Sequence, residues 1–299
     1  VSCTALRRIV ESLQGQQHPH RRGNPVTEAQ GYVLGQSDRA ARRLAIQDAH
    51  FAEVSERLLD DLALRPQDRI VELGCGAGSF SRRILHRLGE GGVLVGVDCT
   101  QGLLDQARTA LADLGPARFE PLVADIAQPG PWLDGADVVT CRTVLHHVPM
   151  AEFLLGRLRT LLRSGTRVGF IEPDFRTPLA RLAYLEASGR PELASLRIWA
   201  VAINQLYLAN RISPDVGATL GRTLEMAGYR QVRTEWSEGR SDELVLENML
   251  MFFDEVRDRL IALDILTGAE IDEQKRALQA LMHQPLPAVW GVHRVTAVC

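Results

Sequence analysis

Lysine is nearly missing from this chain. Among 34 basic residues Lys275 stands alone and the others are arginine, which points to a GC-rich coding bias and to no mechanism. An excess of positive charge is missing too: a formal net charge of −3 provides no footprint for nucleic acid. No run approaches the ~20 apolar residues that a membrane-spanning helix needs. No apolar core near the N-terminus reads as a secretory signal, so a cytoplasmic protein without a membrane partner is expected. The five cysteines (Cys3, Cys75, Cys99, Cys141, Cys299) show neither a C-x-x-C pair nor a His/Cys ligand spacing, and no metal is expected. Cys75, Cys99 and Cys141 fall at or just beyond strand ends and read as small reduced thiols filling tight positions. Internal repeats and low-complexity tracts are also absent.

What is present suffices for one large α/β domain with insertions, or a domain plus a small cap: 299 residues, 45% of them apolar. The most informative stretch is Ile70-Val71-Glu72-Leu73-Gly74-Cys75-Gly76-Ala77-Gly78, an apolar strand running into three alternate glycines. Glycine at such a turn allows left-handed dihedrals and lets a ligand touch the main chain. A helix is expected to start at Ser79, an N-cap residue type, with Phe80, Ile84, Leu85 and Leu88 on one face. Its N-terminus suits an anionic group.

Dinucleotide enzymes favour G-x-G-x-x-G, whereas this chain has G-x-G-x-G preceded by the acid Glu72. A second buried strand, Val93 to Asp98, ends in an aspartate suited to the two hydroxyls of a ribose. A third strand, Phe119 to Val123, leads into Ala124-Asp125-Ile126. A fourth, Asp137 to Arg142, leads into Thr143-Val144-Leu145-His146-His147-Val148, and a fifth, Thr166 to Ile171, into Glu172-Pro173-Asp174.

Glu72-Leu73-Gly74-Cys75-Gly76-Ala77-Gly78 resembles the first motif of class I S-adenosylmethionine-dependent methyltransferases, and the later acids and strands follow in that family's order over roughly residues 45–175. The resemblance implies a Rossmann-like, seven-stranded, mostly parallel sheet with helices on both faces, closed by an antiparallel last strand at 288–298. It also implies S-adenosylmethionine as cofactor and S-adenosylhomocysteine as product. Glu72, Gly74, Cys75, Gly76 and Gly78 would border the cofactor, Asp98 would hold its ribose, and Asp125 and Ile126 its adenine. Arg142 would either reach the cofactor carboxylate or pair with an acid while its backbone does so.

Methyl transfer from a sulfonium needs mainly proximity and orientation, with a base only where the nucleophile loses a proton. His146 and His147 are candidate bases, His147 ahead of its neighbour. Glu172 and Asp174 are candidates for holding a substrate amine or acting as a base, against a capping or loop role. Tyr32, in the segment Tyr32 to Ser37, is a candidate lid contact or a plain helix anchor.

Four segments are expected. Residues 1–50 form a helical arm or lid with a flexible linker at Gln14 to Pro25, and 51–175 form the cofactor-binding core. Residues 176–228 form a helical cap, its apolar stretch 179–210 serving either as a substrate cover or as ordinary core or dimer interface. Residues 229–299 complete the sheet with a helical pair inserted at 242–266 and 270–283; helix 215–227 is expected to stop at Gly228. The favoured function is methylation of carbon, nitrogen or oxygen on a small aromatic or apolar metabolite, by a homodimer. The alternatives are an NAD-dependent oxidoreductase, a cofactor-binding protein without turnover, and an RNA methyltransferase.

Overall fold

The computed structural model describes residues 38–238, 242–288 and 291–299. Tyr32, the linker and most of the N-terminal arm lie outside them. Seven strands form one sheet: β1 (Arg69–Leu73), β2 (Val93–Asp98), β3 (Arg118–Val123), β4 (Val138–Arg142), β5 (Arg167–Asp174), β6 (Arg230–Glu238) and β7 (Gly291–Val298). Nine helices occur among the described residues: α1 (Asp38–Asp61), α2 (Ser79–Leu85), α3 (Gln101–Leu111), α4 (Ala151–Leu161), α5 (Thr177–Ala187), α6 (Ala194–Ala209), α7 (Val216–Met226), α8 (Glu243–Ala262) and α9 (Gly268–Ala280).

The sheet order is β3-β2-β1-β4-β5-β7-β6. Strands β1 to β5 pair in parallel, and β7 runs antiparallel to both β5 and β6, the closing strand expected from the sequence. The central strands are buried almost end to end, as parallel strands covered by helices on both faces must be. Of the edge strands, β6 is largely exposed and β3 mostly half-buried, and they carry Arg118, Glu120, Arg230, Arg233 and Glu235, charges that discourage pairing with another chain. Because the order reverses between β1 and β4, their carboxyl ends open a crevice, where ligands of such sheets bind.

The described residues divide into two units, one of residues 47–176, 212–238 and 291–299, the other of 38–46, 177–211 and 242–288. The first holds the sheet. Val71, Val95, Val139, Phe170 and Val295 of its strands pack with Leu154 and Leu158 of α4 and Leu220 and Leu224 of α7. Helix α7 stops as expected: Gly228 takes φ +86°, its N–H reaches Glu225 O at 3.0 Å, and Tyr229 N–H reaches Leu224 O at 3.1 Å.

The second unit is helical. Helix α6 is buried nearly all round and meets α5, α8 and α9, with Trp199 edge-on to Phe252 at 5.5 Å between ring centroids. Thr267 and Glu270 form a reciprocal capping box at the start of α9. These groupings differ from the segments drawn from sequence. Helix α7 joins the sheet because Val216, Leu220 and Leu224 face its core, whereas α8 and α9 group with the inserted helices.

Candidate active site

Strand β1 delivers Glu72 and Leu73, both buried, into a loop whose glycines all take positive φ: 66° at Gly74, 53° at Gly76 and 86° at Gly78. Their surroundings separate them. A Cβ on Gly78 would lie 2.8 Å from Leu111 Cδ1 and 3.2 Å from Ala107 Cβ, so this glycine lets the loop sit on α3. A Cβ on Gly76 would meet nothing within 4 Å. The main chain at Gly76 thus borders open space, the cradle a bound cofactor requires. Its N–H donates to Asp98 Oδ2 at 3.0 Å, and Thr100 N–H donates to Asp98 Oδ1 at 2.9 Å. Half-buried Asp98 at the end of β2 therefore braces the loop and keeps lone pairs for further donors.

Ser79 does not cap α2 as expected. It is the first helical residue, left-handed Gly78 holds the N-cap position, and the Ser79 hydroxyl accepts from Arg142 at 2.8 Å. Helix α2 also ends at Leu85, before Leu88. The Arg142 side chain is 8% exposed and donates to Asp48 Oδ1 at 2.7 Å and Ser55 Oγ at 3.1 Å. Its guanidinium lies 5.8 Å from the Phe51 ring and 5.1 Å from the Phe80 ring. Of the two alternatives for Arg142, the side chain takes the pairing with an acid. Burial lowers its pKa and Asp48 opposes that; burial raises Asp48, but Arg142 and Arg83 outweigh it and hold the carboxyl low.

Glu72 is different. Burial pushes its pKa up to about 7, against the Ser81 hydroxyl, which donates at 2.5 Å, and the charge of Arg142, while Asp98 adds to the rise. Cys75 and Cys141 are buried, and burial raises both thiols. Cys99 is exposed, contrary to the expectation of a tightly packed thiol, because it follows β2 on an open turn. Among the described residues no cluster of His, Cys, Asp and Glu is arranged to hold a metal ion.

The exits of β4 and β5 meet at Glu172. This carboxylate is wholly buried and accepts from Val144 N–H and Leu145 N–H, both at 2.8 Å to Oε1, and from His146 N–H at 3.3 Å to Oε2. His146 Nδ1 lies 2.8 Å from Oε2. Asp174 is also wholly buried: Oδ1 accepts from Arg176 N–H at 2.9 Å and Oδ2 lies 3.4 Å from His293 Nε2. Both acids belong to β5 itself, which runs three residues further than expected, instead of to a loop beyond it. Their burial within the strand leaves neither placed as an acceptor-facing loop acid. His146 is buried and His147 half-buried, their ring centroids 4.0 Å apart.

At the exit of β3, Asp125 is exposed, accepting from Ala127 N–H at 2.9 Å and from Gln128 Nε2 at 3.5 Å. Ile126 is half-buried against the core. The structure thus gathers Glu72, Gly74, Cys75, Gly76, Gly78, Asp98 and Arg142 around one loop. Asp48, Ser55, Ser81 and His293 were missed in the sequence. Asp48 and Ser55 did leave a signal: they interrupt an apolar helical face at Phe51, Leu58 and Leu62 with polar groups at the same spacing.

A family model described as a methyltransferase domain matches residues 71–168. An aklanonic acid methyltransferase of Streptomyces sp. is 27% identical over 221 residues, covering 69% of this chain and 93% of that enzyme. Nocamycin O-methyltransferase of Saccharothrix syringae is 29% identical over 123 residues, which span 41% of this chain and 44% of that enzyme. Among solved structures, mycolic acid cyclopropane synthase CmaA1, complexed with SAH, superposes with a TM-score of 0.55 at 14% identity, covering 85% of each chain. A Haemonchus contortus phosphoethanolamine N-methyltransferase 2 gives a TM-score of 0.52 at 15% identity, covering 86% of this chain and 57% of that one. At such identities the solved structures speak for the fold alone. The domain match and the relatives do not favour the nicotinamide alternative.

Proposed function

We propose that this chain, which belongs to the class I S-adenosylmethionine-dependent methyltransferases, methylates a carbon, nitrogen or oxygen atom of a small aromatic or apolar metabolite. One observation carries the cofactor reading. At the sheet's switch point the Gly76 main chain borders open space while Asp98 fixes its amide. When bound, S-adenosylmethionine would supply an electrophilic methyl group on a sulfonium, passed in line to the acceptor atom as the carbon–sulfur bond breaks and S-adenosylhomocysteine leaves.

The residues of the chain then have separate tasks. Glu72, Gly74, Cys75, Gly76 and Gly78 would form the floor of the site, Asp98 would accept from the ribose hydroxyls, and Asp125 and Ile126 would receive the adenine. Arg142 acts as a brace, tying the start of α2 to α1 through Ser79, Asp48 and Ser55. Of the two histidines, half-buried His147 is better suited than buried His146 to take a proton from an acceptor. Glu172 and Asp174 are supporting groups in this reading, and Tyr32 remains a candidate lid contact.

A small-molecule acceptor is favoured by the names of the aklanonic acid and nocamycin enzymes and by the absence of basic excess. The segment 176–228, with its apolar stretch 179–210, is the candidate substrate cap in this reading. A cytoplasmic homodimer belongs to the same reading; four described cysteines are free, as a reducing compartment requires. The deciding experiment is calorimetric titration with S-adenosylhomocysteine and, in parallel, NAD. Micromolar binding of the first alone supports the assignment and justifies an acceptor screen with methyl-labelled donor, whereas binding of NAD alone overturns it. Light scattering on the same sample reads the oligomeric state.

A further inference from the structure

We propose that Glu172 is a positioning residue of the methyl-transfer site: its carboxylate holds the turn Thr143–His147 against the glycine loop and fixes His146 as the Nδ1–H tautomer. The inference rests on the reading above that the acceptor is served by this turn.

An ionised carboxylate offers about four acceptor positions and no donor. Here four donors converge on it, three consecutive backbone N–H groups from Val144 to His146 and the His146 ring nitrogen Nδ1. The Cys141 thiol adds a fifth contact, 3.6 Å from Oε1. Consecutive amides pointing one way form an anion-binding concavity, and in this protein the anion is a side chain 27 residues further along, delivered by the neighbouring strand.

The turn needs such a hold. Thr143, just ahead of these amides, has φ +58°, a left-handed conformation that is costly for a β-branched residue. Its N–H is tied to Ile171 O at 2.7 Å, so β5 secures the turn through two adjacent residues, Ile171 by its carbonyl and Glu172 by its carboxylate. The turn in turn abuts the cofactor loop. A Cβ on Gly74 would come within 2.6 Å of Val144 Cγ2, so the residue whose amide Glu172 holds lies directly on Gly74.

The tautomer follows from the same contact. Because the carboxylate can only accept, a His146 nitrogen 2.8 Å from Oε2 must carry the proton. In the neutral form of the ring Nε2 is then the acceptor. His147 lies against this ring, so the orientation of the half-buried imidazole depends on how Glu172 holds the buried one.

Glu172→Gln tests this specifically. The amide oxygen must stay on Val144 and Leu145 to satisfy two N–H groups, which turns the new NH2 towards His146. The ring is then expected to switch to the Nε2–H tautomer. Long-range 1H–15N spectra of protein labelled on histidine nitrogen read the tautomer, with His146→Asn identifying the signal. S-adenosylhomocysteine affinity should stay within about threefold, while turnover on an acceptor found with labelled donor should fall about tenfold or more at unchanged KM.

An Nε2–H ring in the wild type, or an unmoved ring and full turnover in Glu172→Gln, overturns the proposal. If that variant does not fold, the wild-type tautomer and the turnover of His146→Asn decide; full turnover of His146→Asn again overturns it. Failure of the wild type to bind S-adenosylhomocysteine would instead count against the cofactor reading, whatever the tautomer.

Discussion

Glu72 should make the protein less stable as pH rises through neutrality. It is wholly buried beside the glycine loop, and burial carries its pKa from an ordinary 4.5 to about 7. Below pH 4.5 the group is protonated in folded and unfolded chains alike and adds no pH dependence. Between 4.5 and 7 the folded state holds a proton that the unfolded state has lost, so stability falls as pH rises. Above 7 both states are ionised and the full penalty applies. At ~1.4 kcal/mol per pH unit the displacement corresponds to about 3 kcal/mol. Glu72→Gln keeps an acceptor for the Ser81 hydroxyl, which lies 2.5 Å from the carboxylate, and cannot ionise. The variant should therefore gain on the wild type as pH rises, by up to about 3 kcal/mol above pH ~7.5. At ~2–4 °C per kcal/mol this is roughly 6–12 °C in melting temperature. Guanidinium unfolding of both proteins from pH 5 to 8.5 measures the difference, and titration of every other group cancels. A difference of either sign that stays flat across this range would refute the argument, since Glu72 would then ionise as an ordinary surface carboxyl does.

Asp98→Ala removes an acceptor that already holds the Gly76 amide, and should weaken S-adenosylhomocysteine binding by roughly 1.5–3 kcal/mol in calorimetry; unchanged affinity would remove the ribose assignment. Gly76→Ala and Gly78→Ala should separate binding from stability. With open space at the first and Leu111 Cδ1 at 2.8 Å from the second, Gly78→Ala should cost about 1–3 kcal/mol more in denaturant unfolding, whereas Gly76→Ala should show the greater loss of cofactor affinity relative to its stability loss. His147→Ala should lower turnover about 100-fold if the side chain takes the acceptor's proton, with S-adenosylhomocysteine affinity preserved; turnover at the wild-type level assigns it to packing.

The glycine loop, Asp98 and the seven strands were legible in the sequence because each is a local property. An apolar run, a turn residue free to take positive φ and an acid at a strand end sit within a few positions of one another. Ser79 was misread for a similar reason. A serine ahead of an apolar period ordinarily caps a helix, but here Arg142, 63 residues away, takes its hydroxyl. The chain around Cys99 likewise marked the strand end correctly without revealing that the turn after it is open.

Alternation of short apolar strands with amphipathic helices was enough to specify a parallel sheet, because each strand must be covered on both faces and each helix must bury one. The same sequence could not say which acid would serve which donor. Arg142 and Asp48 are 94 residues apart and Asp174 and His293 are 119 apart, pairs formed only once distant elements are packed together. Whether Glu172 was a base on a loop or a buried hold on three amides depended on where β5 ends and on the shape of the turn beside it. Periodicity and motif determine the backbone path and the place of the glycine loop. Packing decides how deeply each ionisable group is buried and what it faces, and hence the work it can do.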